Sequence, residues 1–195
     1  MKNLWSDSEV KKYADNPLKL RAYSSRLLGK EPNLVLHGGG NTSVKVKEKN
    51  IFGETEDIIY VKGSGWDLAV IEPPGFAPVK LDILKRMIKL HGISDKEMVK
   101  IQRAALTDPY APDPSIEAIV HAIIPFIYVN HTHSDAVVTI TNTKNGKARI
   151  KEIFGERVLI VPYIKPGFTL ALKIFELLKN KKLENFDGML LLNHG

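Results

Sequence analysis

Hydrophobic residues follow helical spacing in several segments of the chain. In the first segment Ser6 and Glu9 have the spacing of a capping box, and Asn16-Pro17 is expected to divide the segment into two helices. Apolar residues recur with the same period further along the chain, where helices are predicted over residues 81–90, 94–106, 114–123, 134–141 and 168–178.

Shorter segments show the alternation or the apolar runs that are typical of strands. These segments are 34–36, 43–47, 57–61, 126–129, 158–161 and 189–192. The strand at 126–129 is predicted to be buried. Strands and helices interleave along the chain. This order favours a single α/β domain in which helices cover a sheet.

The composition narrows the classes of protein and of site. With 195 residues, of which 44% are hydrophobic and 26% charged, the chain is predicted to form one globular domain. It has no cysteine, which excludes disulfides, zinc–thiolate sites and iron–sulfur clusters and fits a reducing cytoplasm. Any transition metal must therefore be bound by His, Asp or Glu.

Charge and hydropathy also restrict the partners. The net charge of +6 is spread along the sequence, so no nucleic-acid surface is expected, although the charge could attract an anionic small substrate. The longest apolar run, residues 118–129, is interrupted by His121 and Pro125 and is shorter than the roughly 20 residues that span a bilayer. The N-terminus has no apolar core of a signal peptide, so no membrane partner is predicted.

Three histidines follow predicted strands. His131 and His133 come after the strand at 126–129, and residues two apart on an extended chain point to the same face. His194 ends the last predicted strand, and three imidazoles would leave an open coordination position on a zinc ion. The alternative for the pair is two hydrogen-bonded histidines at a strand end.

Glu117, expected in the first turn of a helix, is either a site carboxylate or a favourable N-terminal charge. His121, one turn later, is interpreted as an ordinary core-edge histidine in preference to a partner of Glu117.

Small-residue loops after strands form a second group of candidates. The loop 38–43 and the segment Gly63-Ser64-Gly65 expose backbone N–H groups that can bind phosphate, and Ser115 at a predicted helix start is a third donor. Neither loop is a Walker or dinucleotide-binding motif. Residues 37–40 are similar to an esterase oxyanion loop, but the sequence has no Gly-x-Ser-x-Gly elbow.

Five segments in this order, 39–43, 62–65, 115–117, 131–134 and 193–195, together resemble the class II aldolase/adducin family. Segments 63–68 and 161–167 are most similar to the aldolase half of bifunctional rhamnulose-1-phosphate aldolase/dehydrogenases. The resemblance implies a three-layer α/β/α domain with a central mixed sheet, assembled as a homotetramer. A cytoplasmic location is expected from the absence of cysteine.

The resemblance also implies roles for individual residues. His131, His133 and His194 would bind zinc, and Glu117 would be the catalytic acid/base. Contacts to the substrate phosphate would come from Gly40, Asn41, Ser64, Gly65 and Ser115. The implied reaction is zinc-dependent cleavage of a ketose 1-phosphate, of the rhamnulose or fuculose type, to dihydroxyacetone phosphate and an aldehyde through a metal-stabilised enediolate.

Other functions remain open on the same scaffold. The family includes a sugar-phosphate 4-epimerase, a methylthioribulose-phosphate dehydratase and non-catalytic adducin-like interaction modules. The sequence departs from the family in two respects. Fuculose-phosphate aldolases have a tyrosine that reaches into the neighbouring site, whereas residues 150–154 contain none. The family also continues beyond its Asn-His-Gly motif, so we expect that the domain at 1–195 lacks a C-terminal part after Gly195.

Overall fold

The computed structural model describes residues 2–36, 39–90, 92–179 and 181–195. Helices and strands interleave through this part of the chain, which confirms the α/β class. The α-helices are α1 (Asp7–Lys11), α2 (Pro17–Gly29), α3 (Leu81–Met87), α4 (Asp95–Ala104), α5 (Ala118–Ile123), α6 (Asp135–Thr141), α7 (Gly146–Phe154) and α8 (Phe168–Leu178). The strands are β1 (Asn41–Lys49), β2 (Thr55–Lys62), β3 (Phe76–Lys80), β4 (Tyr128–His131), β5 (Val158–Val161) and β6 (Gly188–Leu191). Short 3-10 turns occupy Pro73–Gly75 and Leu183–Asn185.

The strands form two sheets within the described residues. Four antiparallel strands pair in the order β3-β2-β1-β4, and β5 and β6 form a separate parallel pair. In the larger sheet Asn41 at the start of β1 lies opposite His131 at the end of β4. This register brings Gly39 and Gly40, which precede β1, next to the histidine pair.

Polar residues cap the helices that the sequence predicts. Ser6 accepts a hydrogen bond from the Glu9 N–H, and Asn16 caps α2, in which Pro17 is the first residue. Ser94 and Glu97 form the complete capping box of α4. These caps satisfy helix N–H groups that would otherwise have no partner.

Helices cover both faces of the larger sheet, as the predicted layered fold requires. Neighbouring side chains on β1 point to opposite faces. Thr42 Oγ1 lies 2.8 Å from Ser25 Oγ of α2, whereas Ser43 Oγ lies 2.8 Å from His121 Nδ1 of α5. The larger core lies on the α5 side, and a smaller one that includes Ala22 and Phe76 lies beneath α2.

One predicted strand is absent and one predicted helix begins later than expected. In both places loop hydrogen bonds replace those of the predicted strand or helix. Residues 34–36 do not form a strand, since the N–H groups of Leu34 and Val35 both bind the Glu31 carbonyl in a turn. The predicted helix at 114–123 begins only at Ala118. The Ser115 N–H donates to the Lys62 carbonyl at 3.0 Å, which extends the sheet instead of the helix.

The strand before the histidine pair is not buried as predicted. It begins at Tyr128 and lies at the edge of its sheet, and Phe126, Ile127 and Tyr128 have exposed fractions of 44%, 60% and 40%. β3 and α7 were not predicted from the sequence. Pro78 lies inside β3, but β3 is an edge strand, where a missing N–H is tolerated. In the described part of the chain, no helix has the length and apolar character needed to cross a membrane.

Candidate metal centre

Three imidazoles converge where β4 and β6 end. Their ring centroids are 4.8 to 5.3 Å apart, and one ring nitrogen from each of His131, His133 and His194 lies within 4.8 Å of the others. The Nε2 atoms of His131 and His133 are 2.9 Å apart. The three histidines that the sequence analysis selected therefore form one cluster.

Local backbone structure explains how each histidine reaches the cluster. His131 is the last residue of β4, and the N–H of His133 donates to the Leu34 carbonyl at 3.0 Å. His194 follows Asn193, which has a positive φ of 58°, a conformation that asparagine tolerates better than most residues. Its N–H binds the Leu191 carbonyl at 3.1 Å, so a tight turn directs it toward β4.

The Glu117 carboxylate faces two of the imidazoles. Its Oε2 lies 3.6 Å from His131 Nε2, and its Oε1 lies 3.6 Å from His194 Nε2. The side chain is only 9% exposed. Glu117 is the N-cap residue of α5 and not part of its first turn as predicted, and its carboxylate is directed into the histidine cluster.

The donor set fits a divalent transition metal. Imidazole nitrogens with an adjacent carboxylate are typical ligands and partners of zinc. His194 Nδ1 is buried and has no hydrogen-bond partner among the described residues. Burial lowers the pKa of His131 to about 4 despite the opposing charge of Glu117, and burial also lowers the pKa of His133. Both rings are therefore neutral near pH 7, the form that binds metals.

These shifts predict how stability depends on pH. A histidine whose pKa is lower in the folded chain binds fewer protons there than in the unfolded chain. Stability should therefore fall as pH decreases below the ordinary value of 6.5, through the window that ends near the folded pKa of about 4 for His131. One such group contributes on the order of 1 kcal/mol per pH unit within that window.

Urea unfolding at pH 7.5, 6.5 and 5.5 in the presence of a chelator checks this expectation. We expect the free energy of unfolding to decrease between pH 6.5 and 5.5 and to change less above pH 6.5. The His131→Ala variant should show a smaller decrease, since it lacks one of the shifted groups. A stability that is constant or rises as the pH is lowered would contradict the prediction.

Glu117 also has hydrogen-bond partners other than the histidines. Asn41 Nδ2 donates to Glu117 Oε2 at 2.7 Å, and the Glu117 N–H donates to Ser115 Oγ at 3.3 Å. Asn41 Oδ1 is hydrogen-bonded to His121 Nε2, and His121 Nδ1 lies 2.8 Å from Ser43 Oγ. His121, interpreted from the sequence as an ordinary core-edge residue, is thus part of this buried network. Its position four residues after Glu117 was the signal available in the sequence.

The residues predicted to contact phosphate lie along connected segments. The Ser64 N–H donates to the Asp113 carbonyl at 2.7 Å, which places the exposed Ser64-Gly65 turn beside the segment that leads to Ser115. Gly40 has a φ of +63°, and a Cβ there would lie 2.6 Å from the His131 carbonyl oxygen. His37 and Gly38, the start of the predicted loop, lie outside the described residues.

Comparison with known families agrees with this geometry. A family model described as the class II aldolase and adducin N-terminal domain matches residues 19–195. The chain belongs to the class II aldolase/adducin family. The predicted family is therefore confirmed, and with it the fold. The closer link to rhamnulose-1-phosphate aldolases remains a prediction.

Relatives in this family include one curated protein and several solved structures. "Uncharacterized oxidoreductase YuxG" of Bacillus subtilis (strain 168) is 39% identical over 176 residues, which are 90% of this chain and 25% of that protein. The chain therefore spans about a quarter of the length of that relative.

Two solved structures show the fold at different levels of similarity. The N-terminal class II aldolase domain of a conserved protein from Thermoplasma acidophilum has a TM-score of 0.88 and 37% identity, covering 100% of this chain and 87% of that chain. The L-fuculose-1-phosphate aldolase of Thermus thermophilus has a TM-score of 0.52 and 17% identity, covering 91% of this chain and 78% of that chain.

Proposed function

We propose that this chain carries the site of a metal-dependent aldolase, a carbon–carbon lyase that cleaves a ketose 1-phosphate of the rhamnulose or fuculose type. The products would be dihydroxyacetone phosphate and a small aldehyde such as lactaldehyde. The observation that carries the proposal is the position of Glu117, whose carboxylate lies 3.6 Å from the Nε2 atoms of both His131 and His194 in the three-histidine cluster. In this proposal a proton-transfer group and a set of metal ligands share one site.

The chemistry of this cleavage requires both groups. The bond between C3 and C4 of the ketose breaks and its electron pair stays on C3. The C4 hydroxyl passes its proton to solvent water as the aldehyde forms. A divalent cation, when bound by the three histidines, supplies Lewis-acid stabilisation of the negative charge that develops. Glu117 would deliver a proton to C3, which completes dihydroxyacetone phosphate. Zinc is the ion proposed, because the ligands are three imidazole nitrogens.

Binding of the phosphate would orient the substrate on this site. Three small-residue segments are connected to the Glu117 region. Gly40 directly precedes Asn41, Ser115 Oγ accepts a hydrogen bond from the Glu117 N–H, and Ser64-Gly65 lies beside the segment before Ser115. Interactions remote from the reacting carbons contribute to catalysis by fixing their orientation. We therefore assign phosphate binding to Gly40, Asn41, Ser64, Gly65 and Ser115 as part of the proposal.

Assembly into a homo-oligomer, with a tetramer favoured, also belongs to the proposal. Its support is the exposed apolar surface of Phe126, Ile127 and Tyr128 at the edge of the larger sheet. A cytoplasmic location is supported by the absence of cysteine from the sequence.

A product assay on the full-length purified protein tests the function. The protein is stripped of metal, reloaded separately with zinc, manganese or cobalt, and offered a panel of ketose 1-phosphates together with a pentulose 5-phosphate and methylthioribulose 1-phosphate. We expect metal-dependent release of dihydroxyacetone phosphate from at least one ketose 1-phosphate, and none from the stripped protein. Epimerised pentulose phosphate or a dehydrated product, without dihydroxyacetone phosphate, would replace the aldolase assignment with the corresponding family activity. No turnover of any substrate by the metal-loaded protein would favour an adducin-like interaction module.

A further inference from the structure

A network of buried, hydrogen-bonded polar side chains extends from Glu117 into the interior. It runs from Glu117 to Asn41, then to His121 and Ser43. As whole residues these are 7%, 5%, 1% and 0% exposed. The links are Asn41 Nδ2 to Glu117 Oε2 at 2.7 Å, Asn41 Oδ1 to His121 Nε2, and His121 Nδ1 to Ser43 Oγ at 2.8 Å. Such a network is not needed to bind a metal through the three histidines.

Two elements hold this network in place. Asn41 and Ser43 are two residues apart on β1, so both side chains point to the same face of the sheet. His121 is four residues after Glu117, and its N–H binds the Glu117 carbonyl at 3.2 Å within the first turn of α5. One imidazole therefore contacts both β1 side chains, while the same helical turn presents the carboxylate.

The hydrogen-bonding capacity of each group fixes the direction of every bond. A carboxylate oxygen accepts, so the Asn41 amide nitrogen must donate to Glu117 and the amide oxygen must face His121. This oxygen can only accept, so the hydrogen of the imidazole must be on Nε2. The ring is neutral because burial lowers the pKa of His121 well below its ordinary value. Nδ1 is consequently an acceptor, and the Ser43 hydroxyl donates to it.

We infer that His121 is a positioning residue for the proposed reaction: its Nε2–H fixes the orientation of the Asn41 amide, and this amide holds the Glu117 carboxylate toward the histidine cluster. Without the Nε2–H donor, the buried oxygen of the Asn41 amide loses its partner, and the amide is held only by its bond to Glu117. The amide can then shift toward another donor, and the 2.7 Å contact that holds the Glu117 carboxylate is weakened. The catalytic consequence rests on the proposed function, whereas the directions of the two Asn41 hydrogen bonds follow from the geometry.

Two substitutions separate positioning from packing. Glutamine in His121→Gln can place an amide nitrogen near the position of Nε2 and so restore the donor to Asn41 Oδ1. Leucine in His121→Leu fills a similar volume and has no donor. We expect His121→Leu to lower kcat about 10- to 100-fold, the usual effect of losing an outer partner of a metal-site residue, with little change in KM or zinc content. His121→Gln should recover most of the loss in kcat.

A spectroscopic measurement tests the network without any turnover. Long-range proton–nitrogen correlation spectra of the nitrogen-15-labelled protein identify which ring nitrogen of each histidine carries hydrogen, and the signals absent from the His121→Gln spectrum belong to His121. We expect a neutral ring with its hydrogen on Nε2. Hydrogen on Nδ1, or a charged ring at pH 7, would overturn the inference even if His121→Leu fails to fold.

The two measurements distinguish failure of the inference from failure of the proposed function. If the native protein cleaves no ketose 1-phosphate but His121 has hydrogen on Nε2, the network stands and the proposed function fails. If the native protein is active and His121→Leu retains full kcat, the positioning role is wrong while the function stands. Equal losses in His121→Leu and His121→Gln would show a packing role and would also overturn the inference.

Discussion

Replacement of His131 by alanine is expected to abolish tight binding of one divalent ion per chain. His131 Nε2 lies 2.9 Å from His133 Nε2 and 3.6 Å from the Glu117 carboxylate, and its ring lies within 5.0 Å of the His194 ring between centroids, so it occupies the centre of the proposed ligand set. Loss of an outer partner of a metal site already costs about 10- to 100-fold in affinity. Loss of one of three imidazole ligands should therefore lower zinc affinity by more than about 100-fold.

Zinc content after dialysis and calorimetric titration of the stripped protein measure this effect. His194→Ala should lower zinc affinity in the same way, because it also removes one of the three imidazoles. His194 follows β6, so this variant tests the ligand set from a second segment of the chain. Glu117→Gln is the matched control, since three imidazoles can hold zinc without the carboxylate. If His131→Ala binds zinc with unchanged stoichiometry and affinity, the cluster is not a metal centre and the histidines are structural partners.

Much of the fold could be predicted from the sequence because local signals fix local structure. The caps at Ser6, Asn16 and Ser94 mark true helix starts, and the apolar period of α8 gives its bounds correctly. The failures occurred where loop hydrogen bonds, some of them to distant segments, replace those of the expected element. Residues 34–36 have strand-like composition, yet the Leu34 carbonyl accepts from His133, a residue 99 positions away, across a loop. No periodicity in a short segment shows such a partner.

The histidine cluster of the candidate site could be predicted from the sequence, whereas the hydrogen-bond network behind Glu117 could not. Strand-end positions led to the three histidines, and the structure brings them together. The network behind Glu117 was not found, because its bonds join residues 76 to 80 positions apart. Spacing on α5 suggested only that His121 was near Glu117. Asn41 and Ser43 bind His121 because α5 packs on that face of the larger sheet. The alternating sequence of β1 shows that the two side chains share a face, but it does not show which helix covers that face.

Substitution of Glu117 by glutamine is expected to lower turnover by about 10²- to 10⁴-fold, the usual contribution of general acid–base catalysis. Glutamine has nearly the same shape as glutamate and cannot exchange a proton with C3 of the substrate. The fold should tolerate the change. Although Glu117 is the N-cap residue of α5, its side chain makes no capping hydrogen bond and instead accepts from Asn41 Nδ2 at 2.7 Å. The amide oxygen of glutamine can still accept from that donor.

Three measurements on Glu117→Gln separate the possible roles of this residue. Cleavage of a ketose 1-phosphate reports the complete reaction, exchange of a C3 hydrogen of dihydroxyacetone phosphate in heavy water reports the proton transfer alone, and zinc content reports the metal. We expect cleavage and exchange to fall together while zinc content is retained, because Glu117 lies 3.6 Å from two imidazoles without being needed as a fourth ligand. Cleavage and exchange at native rates would reduce Glu117 to a charge at the start of α5. Loss of zinc would make it a ligand, and the proton would then have to come from a group outside this cluster.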